Sequence, residues 1–193
     1  MNIENMCYRV IMAVDMEKST TRTNPAKAHL RRAMYDSVNH ALHAGGITDH
    51  HRDPFIDRGD GVLVLLHPTE HVPKTRLLDT IMPTLATRLV DCHGQCPRLR
   101  AVVHAGEIHY DRQGCFGEAL DTAFRLLDAP RVKAELRHSP SPLTLVVSED
   151  IYRAVVRHDY PNIPEAAYRG TVRVRVRGQT HRGWTHQPAG RSS

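Results

Sequence analysis

Phe55-Ile56-Asp57-Arg58-Gly59-Asp60-Gly61-Val62-Leu63-Val64-Leu65-Leu66 is the stretch on which the fold turns. Apolar residues flank a short segment of aspartate, arginine and glycine. Apolar runs around a Gly/Asp turn read as a β-hairpin, with Asp60 at its tip. Upstream, Tyr8 to Val14 reads as a buried strand that ends on Asp15, and the polar turn Glu17-Lys18-Ser19-Thr20-Thr21 follows it. Two carboxylates at neighbouring strand ends can bridge two divalent cations, which activate an attacking oxygen and stabilise a leaving phosphate. Mg2+ and Mn2+ suit such a site, because they take hard oxygen ligands and leave room for substrate phosphates. A pair of ordinary turn aspartates is the plain alternative.

Outward from these strands the chain alternates helix and strand. Asn24-Pro25 reads as a helix start, Asn as the cap and Pro in the first turn. Leu30, Met34, Val38 and Leu42 recur at helical spacing, and Gly45-Gly46 stops the run. Leu78, Ile81, Met82, Leu85 and Leu89 mark a second helix that Pro83 is expected to kink. Leu99 to His104 reads as a strand, and Tyr110 to Phe116 as a turn-rich connection. Gly117 to Leu127 is expected to be a helix with Leu120, Ala123, Phe124 and Leu127 towards the core. Asp121 and Arg125, four residues apart, share its other face.

Ser139-Pro140-Ser141-Pro142 breaks the chain before a strand over Leu143 to Val147 and a helix over Glu149 to Arg157. Val172, Val174 and Val176 alternate with Arg173, Arg175 and Arg177, so that strand buries one face and charges the other. Trp184 falls on a last short strand. The order β-α-β-β-α-β with added elements is that of a ferredoxin-like α/β (α+β) core. The expected organisation is one catalytic domain over residues 1–186 and a disordered tail over 187–193.

Composition narrows the function classes. The chain has 193 residues and 40% apolar content, with no apolar run of the ~20 residues a membrane span needs. The start lacks a basic region and a cleavage site, so a cytoplasmic protein without a membrane partner is expected. Cys7, Cys92, Cys96 and Cys115 show no disulfide framework. Cys92 and Cys96 bracket a His93, but two further zinc ligands at sensible spacing are missing. The net charge of +5 comes with only 5% aromatic residues and no recognition motif. That argues against nucleic acid and suits a small polyanion.

Four stretches in order carry a resemblance. VIMAVDMEKSTTR (residues 10–22) resembles the first metal motif of class III nucleotide cyclases, and FIDRGDGVLVLL (55–66) resembles their Gly-Asp hairpin. LRAVVHAGEIH (99–109) resembles the strand after their second helix, and FGEALDTAFRLLDAP (116–130) the helix with their Asn and Arg pair. The likeness runs from about Tyr8 to Trp184.

It implies an enzyme that converts a nucleoside triphosphate into a 3′,5′-cyclic nucleotide and pyrophosphate, with two Mg2+ or Mn2+ ions per site at a homodimer interface. On that likeness Asp15, Asp60 and the carbonyl of Met16 hold metal. The amides of Glu17, Lys18, Ser19 and Thr20 cradle phosphates, as successive N–H groups in a turn do. Arg125 comes from the partner subunit and meets charge on the transferring phosphate. Arg175 or Arg177 stands in for a triphosphate-binding lysine.

The chain departs from the pattern at the base and the ribose. Asp121 stands where the family has Asn; an ionised carboxylate accepts a hydrogen bond but donates none. The two positions that read adenine in the family correspond to Ile56 and Gly114, and Cys115 is one residue off the cysteine that guanylate cyclases use. Asp57 and Arg58 lie close to Ile56 and complete the expected base pocket. A small chain lacking the purine-reading pair resembles the pyrimidine cyclases of bacterial antiphage systems, with UTP favoured over CTP. A purine (adenylate) cyclase with a rearranged pocket and a catalytically inactive, nucleotide-binding sensor are the rivals.

Overall fold

The computed structural model describes residues 6–18, 21–92 and 96–189. Eight strands form one mixed sheet: β1 (Met6–Met16), β2 (Ile56–Asp57), β3 (Gly61–Leu66), β4 (Leu99–Asp111), β5 (Gly114–Phe116), β6 (Leu143–Ser148), β7 (Arg169–Val176) and β8 (Gln179–His186). The order is β2-β3-β1-β4-β6-β8-β7, with β5 paired to β4. The β2-β3-β1-β4 portion is antiparallel throughout and, with its two helical crossovers, forms the ferredoxin-like unit. β6 joins β4 in parallel and the β7–β8 hairpin closes that side.

Both faces of the sheet are covered, which is why β1 and β3 read as unbroken apolar runs and not as alternating ones. On one face α1 (Asn24–Ala44), the helical stretch through α2 (Lys74–Arg76) and α3 (Met82–Val90), and α6 (Glu149–Ala154) enclose a core that includes Met12, Val64, Leu30, Met34 and Leu85. On the other face α4 (Glu118–Leu127) and α5 (Pro130–His138) cover Ile11, Leu63, Val102 and Val146. α4 lies close to β4. A Cβ added to Gly106 would fall 2.7 Å from the Ala119 Cβ, so the approach needs glycine there.

Several local expectations change. Pro83 sits in the first turn of α3, and a π turn over Leu77–Ile81 directly precedes that helix, so the hydrogen-bond spacing changes where the proline enters. Thr23, not Asn24, is the cap of α1. The connection after His104 is a strand hairpin, because β4 runs on to Asp111 and β5 returns. Asp111 Oδ1 accepts the N–H groups of Gln113 and Gly114 and so fixes that turn. α5 had no counterpart in the sequence reading. α6 ends at Ala154, and a 3-10 turn over Val156–His158 follows. In α4 it is Leu126 that is buried, while Phe124 is half-buried at the edge. Residues 187–189 carry no regular structure. Among the described residues no helix is long and apolar enough to cross a membrane.

Candidate active site

Strand register brings the two aspartates together. Asp15 pairs with Gly61 across β1 and β3, and the Met16 N–H donates to the Asp60 carbonyl at 2.9 Å. Gly61 permits this contact: a Cβ there would meet the Val14 carbonyl oxygen at 2.4 Å. Asp15, Met16 and Asp60 all line a cleft of about 850 Å³ beside the end of β1. The donor set is two carboxylates and nearby backbone, hard oxygens that fit Mg2+ or Mn2+. Among the described residues no group of three or more His, Cys, Asp or Glu side chains is placed to hold a metal ion, so a cation at Asp15 and Asp60 would complete its shell from backbone, water and substrate.

Asp15 already has a cation beside it. Arg100 sits opposite Asp15 on β4 and donates from Nη2 to Asp15 Oδ2. Its other terminal nitrogen reaches Asp128 Oδ1 at 3.4 Å. Arg100 is only 8% exposed, and its Nε is buried without a hydrogen-bond partner. Burial pushes the guanidinium pKa down, and Asp128 pulls it partly back. Asp128 also accepts from Lys133 of α5. Burial raises the Asp128 pKa, but Lys133 and then Arg100 outweigh that and hold it below the usual carboxylate range. The sequence reading had assigned no role to Arg100, Asp128 or Lys133. One signal was available for Arg100: a lone charge in the apolar run from Leu99 to Ala105, on the strand that pairs with β1.

α4 supplies the far wall. Asp121 and Arg125 are exposed and both line the same cleft as Asp15 and Asp60 within one chain. The β7–β8 hairpin adds Arg175 and Arg177, and the β2–β3 turn adds Arg58, whose guanidinium lies 3.9 Å from the centre of the Phe124 ring. Seven cationic side chains and four carboxylates line the cleft, an excess of three positive charges suited to a polyphosphate.

Two of those cations occupy costly backbone. Lys18 has φ 56° and Arg177 φ 47°, both left-handed. Arg177 and Gly178 form the two-residue tip of the hairpin, a place where Asn-Gly is the easy choice. Holding a non-glycine residue there costs roughly 1 kcal/mol.

Other expected residues lie elsewhere. Glu17 faces Arg98 at 3.2 Å, while Ser19 and Thr20 fall outside the described residues. Asp57 turns away to α1: it accepts from both terminal nitrogens of Arg31 at 2.9 and 3.0 Å, from the Tyr35 hydroxyl and from the Gly59 N–H. Arg31 above all holds its pKa down at about 2. Of the residues expected to form the base pocket, Arg58 lines the cleft, while Ile56, Asp57, Gly114 and Cys115 do not. Ile56 and Cys115 pack at the edge of the apolar cluster under α4, and Gly114 is exposed on the β4–β5 turn. Cys96 Sγ donates to the Cys92 carbonyl at 2.8 Å; residues 93–95 lie outside the described residues.

A scan against protein-family models and a search of curated proteins each returned no match. Solved structures do match. An adenylate/guanylate cyclase/hydrolase from Silicibacter pomeroyi superposes with a TM-score of 0.59 at 16% identity, over 93% of this chain and 96% of that one. The adenylyl cyclase CyaB from P. aeruginosa gives 0.56 at 12% identity over 93% and 94%. A bacterial light-regulated adenylyl cyclase gives 0.53 at 11%, over 97% of this chain and 54% of its own. At these identities the likeness is one of architecture: the chain has the single-domain α/β fold seen in adenylate and guanylate cyclase structures.

Proposed function

We propose that the protein is a nucleotide cyclase that uses Mg2+ or Mn2+ and acts on a nucleoside triphosphate, with UTP favoured over CTP and both over purines. The observation that carries the reading is the cleft itself. In a cyclase-like fold it gathers Asp15 and Asp60 at one wall, Asp121 and Arg125 at the other, and cations between them.

The substrate's 3′-hydroxyl attacks the α-phosphorus. A P–O bond to the 3′ oxygen forms, the bond to the bridging oxygen of the β-phosphate breaks, the electron pair leaves with pyrophosphate, and the hydroxyl proton is lost to solvent. Two bound cations would supply Lewis-acid stabilisation of the attacking and leaving oxygens from Asp15 and Asp60. Lys18, Arg100, Arg175 and Arg177 hold the phosphate oxygens with fork or point charges. Arg125 meets the charge that develops on the transferring phosphoryl group. Asp121 accepts a ribose hydroxyl proton in a hydrogen bond.

Base selection rests on what is missing. Ile56 and Gly114 offer no donor and acceptor for an adenine edge, and an apolar pocket discriminates only ~10- to 200-fold. Arg58, two residues after Ile56 and held over Phe124, is a polar group that faces the cleft.

The test is incubation with Mn2+ and each of the four ribonucleoside triphosphates, with products identified by mass spectrometry. Cyclic UMP or cyclic CMP above cyclic AMP is the expected result. Cyclic AMP as the dominant product would remove the pyrimidine assignment, and no cyclic product from any nucleotide would remove the cyclase. Asp121 in the ribose position favours one further reading, a chain that binds nucleotide without turnover. Saturable nucleotide binding with no product would identify it.

A further inference from the structure

A second, smaller cavity of about 160 Å³ lies behind the turn after β1, lined by Glu17, Lys18, Arg100, Lys133, Leu136 and Arg137. Lys18, Arg100 and Lys133 line the main cleft as well, so the two cavities meet at these three side chains. Arg137 and Glu17 line only the rear one. The acids near it are already engaged. Glu17 is paired with Arg98, whose terminal nitrogen also donates to the Leu136 and Ser139 carbonyls. Asp128 is paired with Lys133, and Asp15 with Arg100. Among the described residues, Lys18 and Arg137 have no ion-pair partner. Arg100 keeps its buried Nε–H without an acceptor, a group that normally finds one. Lys18 and Arg137, with no carboxylate of their own, and the unpartnered Nε–H of Arg100 leave positive charge in a space the size of a few waters, which suits an anion with several acceptor oxygens.

We infer that this rear pocket binds inorganic pyrophosphate, and that it is the way out for the leaving group. The choice of pyrophosphate rests on the cyclase reading; the anion site itself rests on the pocket. A pyrophosphate that leaves the α-phosphorus is held between Lys18 and Arg100. From there it slides onto Lys133 and Arg137 without first crossing the nucleotide side of the cleft. Both α5 cations lie one turn apart, at positions 133 and 137, on the same helix face. That spacing suits the two phosphoryl groups of one anion.

Calorimetric titration of metal-free protein with sodium pyrophosphate tests this, because it depends on neither metal nor turnover. The wild type is expected to bind saturably. Arg137→Gln, a change on the exposed rim that leaves the core alone, is expected to weaken binding roughly three- to tenfold, the loss of one partly exposed charge-assisted contact. Arg177→Gln, which lines only the main cleft, is expected to weaken pyrophosphate binding less than Arg137→Gln does. No saturable binding by the wild type overturns the inference. So does Arg137→Gln binding as tightly as the wild type, or Arg177→Gln losing more than Arg137→Gln, which would put the anion in the main cleft. A chain that makes no cyclic nucleotide yet shows the Arg137 effect sinks the cyclase reading and keeps the pocket. A working cyclase without that effect does the reverse.

Discussion

Replacing Arg100 by Met isolates the contribution of the buried cation. Arg100 is 8% exposed and holds Asp15, whose side chain keeps 22% of its surface, and Asp128, which keeps 68%. Orphaning one partner of a fully buried ion pair costs about 3–5 kcal/mol. Three features reduce that here. Water reaches part of Asp15, Asp128 retains Lys133, and the arginine's own buried, unpartnered Nε–H already costs about 1–3 kcal/mol that Met does not incur. The net expectation is a loss of about 1–2 kcal/mol in metal-free buffer, or roughly 2–8 °C in Tm for a domain of this size.

Trp184 offers the readout. It is the single tryptophan, stacked on Tyr152 at 4.0 Å between ring centres, so its fluorescence follows urea unfolding. Mn2+ then separates charge from packing. In the wild type a cation entering beside Asp15 must compete with Arg100, whereas in the variant it replaces the missing charge. Mn2+ should therefore stabilise Arg100→Met more than the wild type and recover most of the deficit. Equal metal-free stability of the two proteins, or the same Mn2+ increment in both, would refute the reasoning.

Asp15→Asn and Asp60→Asn should each abolish turnover with Mn2+ while circular dichroism shows an unchanged fold; wild-type rates in both would remove the two-carboxylate assignment. Mixing inactive Asp60→Asn with inactive Arg125→Ala should restore part of the activity if two subunits share a site. No rescue in a sample shown to exchange subunits means that Arg125 acts on the cleft it lines in its own chain. His104 is buried, with Nδ1 2.8 Å from Ser148 Oγ and 3.9 Å from Asp150, and burial chiefly pushes its pKa down to about 4. Its neutral form is favoured by folding. This contribution is fully present above pH ~6.5 and is lost as pH falls towards 4, at most about 3 kcal/mol. Urea midpoints at pH 7.5 and 5 should therefore converge in His104→Gln relative to the wild type; an undiminished pH dependence would show that other groups set it.

The sequence made the strands legible because burial on both faces leaves continuous apolar runs, and it made the acids legible because they end those runs. Asp15 and Asp60 stood out at strand ends; helical spacing put Asp121 and Arg125 on one face and alternation put Arg175 and Arg177 on another, but their roles came only from the resemblance to class III cyclases. Residues whose roles depend on contacts between distant elements were harder to read. Arg100 is the second residue of β4, and its partners lie 85 and 28 positions away. α5 was invisible because its apolar face reduces to Val132 and Leu136, too few for a periodic signal. Asp57 looked like a pocket residue by proximity to Ile56, yet successive residues of a strand face opposite ways, and Arg31 of α1 claims it.

The cleft's charge also bears on the departure at Asp121. On the cyclase reading, a carboxylate in place of an amide adds one negative charge where a triphosphate would approach, and in a neutral pocket that would oppose binding. Here it sits four residues from Arg125 on the same exposed face, in a cleft that still carries three excess positive charges with Asp121 counted. The repulsion is therefore offset locally, and what the substitution removes is the donor capacity of the amide. Lys18 and Arg177 point the same way. Each keeps a cation at the cleft at a backbone cost that glycine or asparagine would avoid, and strain of that kind persists where the charge is used. Two of the three described non-glycine residues with left-handed backbone lie at the basic end of the cleft, so on the cyclase reading the phosphates are the part of the ligand that end would hold.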